Sequence, residues 1–191
     1  VRVPKGTPID EHAAQNTVTV YTESKIFPML PEELSTDKTS LNQDEDRLAV
    51  VADMTVKANG DVPESTFFRA ILRNHAKFSY EEIGEWLDGN GEMPEELRVS
   101  PELKAQIELQ REAAKRLAAY REKKGALEFE SIESSAVVED GEIKGFVSVR
   151  SNSAKKLIEN FMVAANVEMA EFLEANGFAS LRRVVKEPQR W

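Results

Sequence analysis

The stretch that decides the fold is residues 48–72, which read LAVVADMTVKANGDVPESTFFRAIL. Residues 48–56 are β-branched and apolar in rough alternation, which is typical of a half-buried strand. Asn59 and Gly60 follow, and both residue types tolerate the positive φ that a tight hairpin turn requires. The sequence therefore predicts a β-hairpin whose second strand covers residues 66–72.

Two segments after this hairpin carry helix-capping signals. Ser79 and Glu82 have the spacing of a capping box, which predicts a short helix ending near Gly89. Pro101 suits a first helical turn and Gly125 suits the C′ position, so a long helix is predicted between them.

The last third of the chain continues the alternation of strands and helices. Residues 126–132 and 136–149 are predicted strands, with a turn at Asp140 and Gly141 inside the second. A final helix is predicted over residues 154–176. Its apolar face at 3.6-residue spacing consists of Ile158, Phe161, Met162, Ala165, Met169, Phe172 and Leu173. Without a strict βαβ rhythm, the predicted fold class is α+β, with a mixed or mostly antiparallel sheet packed by helices.

The first forty residues read as irregular chain because they contain Pro4, Pro8, Pro28 and Pro31. Residues 17–21 form a short strand candidate among them. The two later prolines, three residues apart, exclude helix and central strand, so we expect a rigid loop pinned to the core. No internal repeat or low-complexity linker is visible, so all 191 residues are expected to form one unit.

Composition excludes several classes of protein. Hydrophobic residues make up 41% and charged residues 31% of the 191, which is ordinary for a globular protein. The absence of cysteine excludes a disulfide scaffold and a cysteine nucleophile and fits a cytoplasmic protein. No run approaches the roughly 18 apolar residues of a membrane helix, so no membrane partner is expected. Because the first residue is a valine, we expect an excerpt or a processed product of something longer.

Charge is unevenly distributed along the chain. A net charge of −9 argues against a generic nucleic-acid coat. Residues 101–125 nevertheless hold seven basic and four acidic residues, and the last fourteen hold four basic and one acidic. This leaves room for a basic surface, although a solvated helix of mixed charge is the more common interpretation.

The catalytic inventory is small. His12 and His75 lie far apart, and neither is beside a nucleophile motif; the sequence has no phosphate loop, nucleophile elbow or HExxH motif. The best metal-like cluster is the acidic run 44–46, which we expect to face water. Tyr21 and Phe129 lie in strand-like segments, where a ring can stack on a base or, more commonly, belong to the core.

Four phrases, in this order, carry a family resemblance: IFPMLPEELS at 26–35, SLN leading to DRLA at 40–49, FRAILRNHA running into YEE at 68–82, and LIENFMVAAN at 157–166. Together they resemble the catalytic (RNB) domain of the RNase II/RNase R family of 3′-to-5′ exoribonucleases. The similarity extends over residues 6–183, and the PMLP and IENFMVAAN phrases are its specific parts.

The resemblance implies an activity. Single-stranded RNA enters a narrow channel 3′ end first, and its terminal nucleotides stack between two aromatic clamps. A cluster of aspartates holds two Mg²⁺ ions for hydrolysis of the phosphodiester, and nucleoside 5′-monophosphates leave processively. The family thus implies the 3′ end of single-stranded RNA as the partner.

The resemblance also assigns roles to four residues. Tyr21 and Phe129 match the two aromatic residues that stack on bases. Glu159 matches an acidic residue near the terminal ribose, and Tyr80 matches a tyrosine linked to preference for RNA, since DNA lacks the 2′-hydroxyl. The alternatives are that Tyr80 covers the core beside Trp86 and that Glu159 is an exposed first-turn acid favoured by the helix dipole.

The chain departs from the family pattern where the chemistry occurs. The family's metal-binding aspartates match sequence upstream of Val1, and its downstream arginine lies beyond Trp191. Residues 44–46 match a structural segment, and Asn160 stands where the family often has glutamate. We therefore expect no catalytic residue and no metal ligand here, with Mg²⁺ and the missing N- and C-terminal parts belonging to the complete enzyme.

Three interpretations follow from these departures. The chain is expected to be the central segment of such an exoribonuclease, truncated at both ends and inactive alone. The alternative is a non-catalytic relative that binds RNA or a protein partner and keeps the aromatic clamp. A structural scaffold domain, which would neither bind nor cleave RNA, is the third.

Overall fold

The structure is a computed structural model, and it describes residues 3–22, 25–126, 133–139, 142–149 and 151–182. Helices and strands are interspersed along the chain without a strict βαβ order. In order they are α1 (Pro8–Asn16), β1 (Val20–Tyr21), β2 (Ile26–Phe27), a π-helical turn (Glu33–Asp37), β3 (Asp46–Met54), β4 (Ser65–Arg73), α2 (Tyr80–Leu87), α3 (Glu95–Val99), α4 (Pro101–Lys123), β5 (Glu133–Glu139), β6 (Glu142–Val149) and α5 (Ser153–Ala175).

The strands of the described ranges form three separate two-stranded antiparallel sheets, β1–β2, β3–β4 and β5–β6. The prediction of an α+β fold with mostly antiparallel pairing is confirmed. The predicted turn at Asp140 and Gly141 lies outside the described residues, and the strands before and after it, β5 and β6, pair with each other. Most of the strand predicted over 126–132 lies outside the described residues.

The central hairpin, β3–β4, pairs Asp46 with Arg73 at one end and Met54 with Ser65 at the other. The paired strands stop several residues away from Asn59–Gly60 on either side. The loop that joins them is therefore longer than a two-residue turn. Gly60 has φ +85°, and a Cβ there would lie 2.0 Å from the carbonyl oxygen of Arg116 in α4. Glycine is thus required by the close approach of the hairpin loop to α4 as well as by the turn.

The core lies among the four helices α2 to α5. The buried side chains that form one cluster there are Ile83, Leu87, Leu97, Ala114, Ala154 and Leu157. The predicted helix starts are confirmed: Ser79 Oγ accepts a hydrogen bond from the Glu82 amide at 3.1 Å. Ser100 Oγ likewise accepts from the Leu103 amide at 3.3 Å, one residue before the predicted Pro101. These caps satisfy amides that the helix itself leaves unpaired.

The prediction of irregular chain at the N-terminus was wrong for residues 8–16, which form α1. Pro8 occupies the first turn of this helix, where its missing N–H is not needed. Thr7 caps the helix by accepting from the Asp10 amide at 3.4 Å. Proline therefore marks the start of a helix here and does not break one.

The predicted apolar face of α5 was wrong in part. The buried residues of this helix are Ala154, Leu157 and Ala164. Ile158 is 47% exposed and Met162 54% exposed, so the buried face is rotated from the predicted one. None of the helices in the described ranges combines the length and apolar character needed to cross a bilayer.

The core generates a test of stability. Leu97, 1% exposed, is the most completely buried large side chain, whereas Leu109 on α4 is 60% exposed. We expect Leu97→Ala to lower the free energy of unfolding by about 2–5 kcal/mol, because it removes buried methyl groups and leaves a cavity. Leu109→Ala is the matched control and should change it by less than about 0.5 kcal/mol. Urea unfolding followed by circular dichroism measures both, and equal losses would contradict this placement of the core.

Candidate functional site

Tyr21 ends the first strand of the β1–β2 hairpin, opposite Ile26. It is 75% exposed, so its ring is at the surface and is not part of the core. The hairpin is held to the proline-rich loop because the Met29 amide donates to Thr19 Oγ1 at 3.1 Å. An exposed aromatic ring on a short, anchored hairpin is available to stack on a base.

Phe129, the second residue predicted to stack on bases, lies outside the described residues. The pairing of Tyr21 with Phe129 as an aromatic clamp therefore stays a prediction. The nearest described residue is Ala126, which lines the cleft between α4 and α5 described below.

Tyr80 is the first residue of α2 and is 45% exposed. From this helix Ile83 and Leu87 belong to the core cluster and Trp86 packs against it, whereas about half of Tyr80 remains exposed. The Tyr80 carbonyl accepts a hydrogen bond from Asn152 Nδ2 at 2.8 Å. This bond fixes the first turn of α2 against the start of α5.

A second contact holds the same two helices together. The amide of Ser153 donates to Asp88 Oδ2 at 3.2 Å, and the Ser153 hydroxyl also donates to Asp88. Asn152 Oδ1 meanwhile accepts from the Lys155 amide at 2.9 Å and so caps α5. The side chains of Asp88 and Asn152 thus accept hydrogen bonds from backbone amides at the start of α5 that have no partner within the helix.

Glu159 lies on the exposed part of α5, six residues after the first residue of that helix, Ser153. It is therefore not a first-turn acid, and the helix-dipole alternative was wrong because that effect fades within the first turn. Its side chain lines a cleft of about 500 Å³ between α4 and α5. A cleft of this volume is within the usual range for small-ligand pockets.

The cleft combines small apolar walls with a basic lining. Alanines at 114, 118, 119 and 126 and Leu157 form the apolar part. The charged lining residues are the basic Arg111, Lys115, Arg121 and Lys156 and the acidic Glu122 and Glu159. Basic residues thus outnumber acidic ones in the cleft, although the chain as a whole carries a net charge of −9.

Asn160 connects the two walls of the cleft. Its Oδ1 accepts a hydrogen bond from Arg121 Nη1 at 2.9 Å, and its Nδ2 donates to the Lys156 carbonyl at 2.8 Å. In the sequence, Asn160 is visible only as a departure from the family pattern. Its contact with α4 fixes the position of Arg121, which lines the same cleft as Glu159.

Two of the three acids in the run 44–46 form ion pairs. Asp46 accepts from Arg73 Nε at 2.7 Å across the β3–β4 hairpin. Arg47 bonds Asp37 at 2.7 Å and also contacts Glu45. Among the described residues no group of three or more histidine or acidic side chains could hold a metal ion. The residues described here therefore do not fit the magnesium site that the family implies.

Sequence reasoning missed the cleft itself. Three of its four basic residues belong to the segment 101–125, whose positive balance is visible in the sequence but is more commonly that of a solvated face. The other wall comes from α5, about forty residues later in the chain. The excess of basic residues was the available signal, and only the packing of α5 against α4 gives it a shape.

Comparison with known proteins gives a family and a fold. A family model described as the RNB domain matches residues 1–191. Ribonuclease R of Escherichia coli (strain K12) is 34% identical over 187 residues, which are 97% of this chain and 23% of that protein. The chain therefore spans less than a quarter of the length of this curated relative.

Two solved structures with RNA in their descriptions are also similar. Mycoplasma genitalium RNase R in complex with double-stranded RNA matches with a TM-score of 0.85 and 26% identity, covering 93% of this chain and 31% of that one. The same protein in complex with ribose methylated single-stranded RNA matches with a TM-score of 0.83 and 25% identity, covering 92% and 27%. The expected family and fold are confirmed by these matches.

The ion pair at the hairpin end generates a pH prediction. The hydrogen bond from Arg73 holds the pKa of the Asp46 carboxyl below its ordinary value. The contribution of this pair to stability is therefore present above the unfolded carboxyl's pKa of about 3.9, and it is lost as the pH falls through the lowered folded value. NMR titration of the Asp46 side-chain carbon should give a midpoint below 3.9, and Arg73→Gln should raise that midpoint. An unchanged midpoint in the variant would contradict the assignment.

Proposed function

The chain belongs to the RNB domain family, and from that premise we propose that it is part of a 3′-to-5′ exoribonuclease acting on single-stranded RNA. The observation that carries the proposal is the match of nearly the whole chain to ribonuclease R, in sequence and in fold. In the complete enzyme the products would be nucleoside 5′-monophosphates, released processively in the cytoplasm. The part assigned to these 191 residues is to hold the RNA.

Tyr21 is proposed to stack on a base near the 3′ end of the strand. Its high exposure and its position on an anchored hairpin support this role. Stacking on an aromatic ring is tolerant of sequence because every base has a π-face. An enzyme that removes nucleotides one after another needs such tolerance, since a different base can reach the site at each step.

Glu159 and Tyr80 are proposed to favour RNA over DNA. Glu159 places a carboxylate on the wall of a basic cleft, where a ribose 2′-hydroxyl could donate to it. Tyr80 is partly exposed and belongs to the helix turn that Asn152 ties to the start of α5. The two residues therefore lie on elements whose relative position is fixed.

Bond cleavage is proposed to depend on parts of the longer protein. The described residues offer no ligand set for magnesium, and Glu45 and Asp46 are paired with arginines. In the family the Mg²⁺ ions supply the charge stabilisation for hydrolysis. Residues 1–191 would then contribute binding and orientation of the strand.

RNA binding is tested by titrating a fluorescent oligo(A) with the chain and measuring anisotropy at several salt concentrations. We expect measurable affinity that falls as salt rises, because phosphate contacts release counterions. A matched DNA oligonucleotide should bind more weakly than the RNA. Glu159→Gln should reduce this difference in affinity between RNA and DNA. The absence of any RNA binding at low salt would contradict the proposed function.

Tyr21 is tested in the same titration. Tyr21→Ala should weaken binding by about 1–3 kcal/mol, the contribution of one stacked base, whereas Tyr21→Phe should keep nearly full affinity. Phe146→Ala is the matched control, because Phe146 is 73% exposed on a different hairpin, β5–β6. Equal weakening by Tyr21→Ala and Phe146→Ala would show that Tyr21 has no specific role.

Cleavage is tested by incubating the purified chain with 5′-labelled oligo(A) and Mg²⁺. We expect the labelled strand to keep its full length, because no nucleoside 5′-monophosphate is released from its 3′ end. A non-catalytic relative would also bind RNA without releasing nucleotides. Adding the remaining parts of the protein separates these two interpretations, because only a segment of an exoribonuclease gains cleavage activity. Mg²⁺-dependent release by the chain alone would contradict the division of labour proposed here.

A further inference from the structure

One end of the α4–α5 cleft carries an arginine with an unused hydrogen-bond donor. The Nε atom of Arg111 is buried, and no acceptor among the described residues reaches it. Buried polar groups in folded proteins are nearly always hydrogen-bonded, so such an atom requires an explanation. Arg111 lines the cleft, so an occupant of the cleft could supply the missing acceptor.

Other arginines of the described chain differ from Arg111 in this respect. Arg116, on the same helix, bonds Glu112 at 3.0 Å, and Arg121 bonds Asn160 at 2.9 Å. Arg98 is paired with Glu92 at 2.7 Å. A guanidinium cannot lose its charge in a protein, so Arg111 keeps a positive charge beside a donor that has no protein acceptor.

Lys115 follows Arg111 by one helical turn and lines the same cleft. Residues four apart lie on the same face of a helix, so the two positive charges are neighbours. No ion pair joins Lys115 to another described residue, in contrast to Lys104, which faces Glu108 at 3.8 Å. The two side chains therefore form a local concentration of positive charge at this end of the cleft.

The two acids of the cleft belong to its other end. Glu122 is eleven residues along α4 from Arg111, a distance of roughly 16 Å at 1.5 Å per residue. Glu159 precedes Asn160, which bonds Arg121 beside Glu122. The acids are thus grouped around Arg121, so the lining residues at the Arg111 end carry positive charge only.

We propose that the Arg111–Lys115 end of the cleft binds a phosphate group. A tetrahedral oxyanion offers the several acceptors that a guanidinium and an ammonium together require. The phosphate could be a phosphodiester of an RNA strand or the phosphate of a mononucleotide. The binding of phosphate is inferred from the cleft itself, whereas its supply by RNA rests on the proposed function.

The phosphate site is tested directly by NMR of the arginine Nε–Hε signals during titration with inorganic phosphate or adenosine 5′-monophosphate at constant ionic strength. The Arg111 signal, assigned by its loss in Arg111→Gln, should shift saturably. The Arg116 signal is the internal control and should move little. An Arg111 signal that moves no more than that of Arg116 would overturn the inference.

RNA as the source is tested with the fluorescent oligo(A). Arg111→Gln should weaken binding roughly tenfold and reduce the slope of log affinity against log salt by about 0.7, the value for one phosphate contact on a single strand. Arg116→Gln removes the same charge from the same helix and should leave the slope unchanged. Arg111→Lys keeps the charge and should restore the slope but not the full affinity.

The outcomes separate the two proposals. If the unmodified chain binds RNA but Arg111→Gln and Arg116→Gln behave alike, RNA is not the source of the phosphate and that part of the inference fails. If the chain binds no RNA while Arg111 still responds to adenosine 5′-monophosphate, the proposed function fails and the phosphate site stands with a mononucleotide as its occupant.

Discussion

The close approach of α2 to the start of α5 is the constraint on which the rest of the structure depends. A Cβ at Gly84 would lie 2.2 Å from Asn152 Nδ2, so any other residue there would displace the Asn152 side chain from its present position. Asn152 uses both ends of its amide, since Oδ1 caps α5 at the Lys155 amide and Nδ2 holds the Tyr80 carbonyl. The start of α5 is thereby fixed, and its residues meet α4 in the register that opens the cleft.

Features that depend on neighbours in sequence could be predicted. The caps at Ser79 and near Pro101 follow from side chains that reach amides three residues away. The β3–β4 hairpin follows from alternation on both sides of a turn dipeptide. The N-terminal helix was missed because Pro8 serves equally well as a breaker and as a first-turn residue, and only the Thr7 cap distinguishes the two.

Features that depend on distant packing could not be predicted. The cleft needs α4 and α5 side by side, and Arg121 meets Asn160 across 39 positions of sequence. The buried face of α5 was misplaced for the same reason: the helix has apolar residues on more than one side, and contact with α4 and α2 selects which side is buried. Ile158 and Met162 are apolar yet exposed, so periodicity alone could not exclude them.

The chain as a whole has a negative net charge, whereas the charged residues that line the cleft are mostly positive. A ligand in the cleft interacts mainly with these nearby charges. At physiological salt, exposed charges separated by more than about 8 Å are largely screened from one another. Acids on the central hairpin are in addition paired with arginines, as Asp46 is with Arg73. The net charge of −9 therefore says little about a site lined by Arg111 and Lys115. The surface as a whole is still poorly suited to a nucleic-acid coat, because non-specific affinity for phosphates comes from an excess of basic residues. A basic cleft on an acidic protein is suited to an anionic ligand, since the acidic surroundings disfavour binding of that ligand elsewhere.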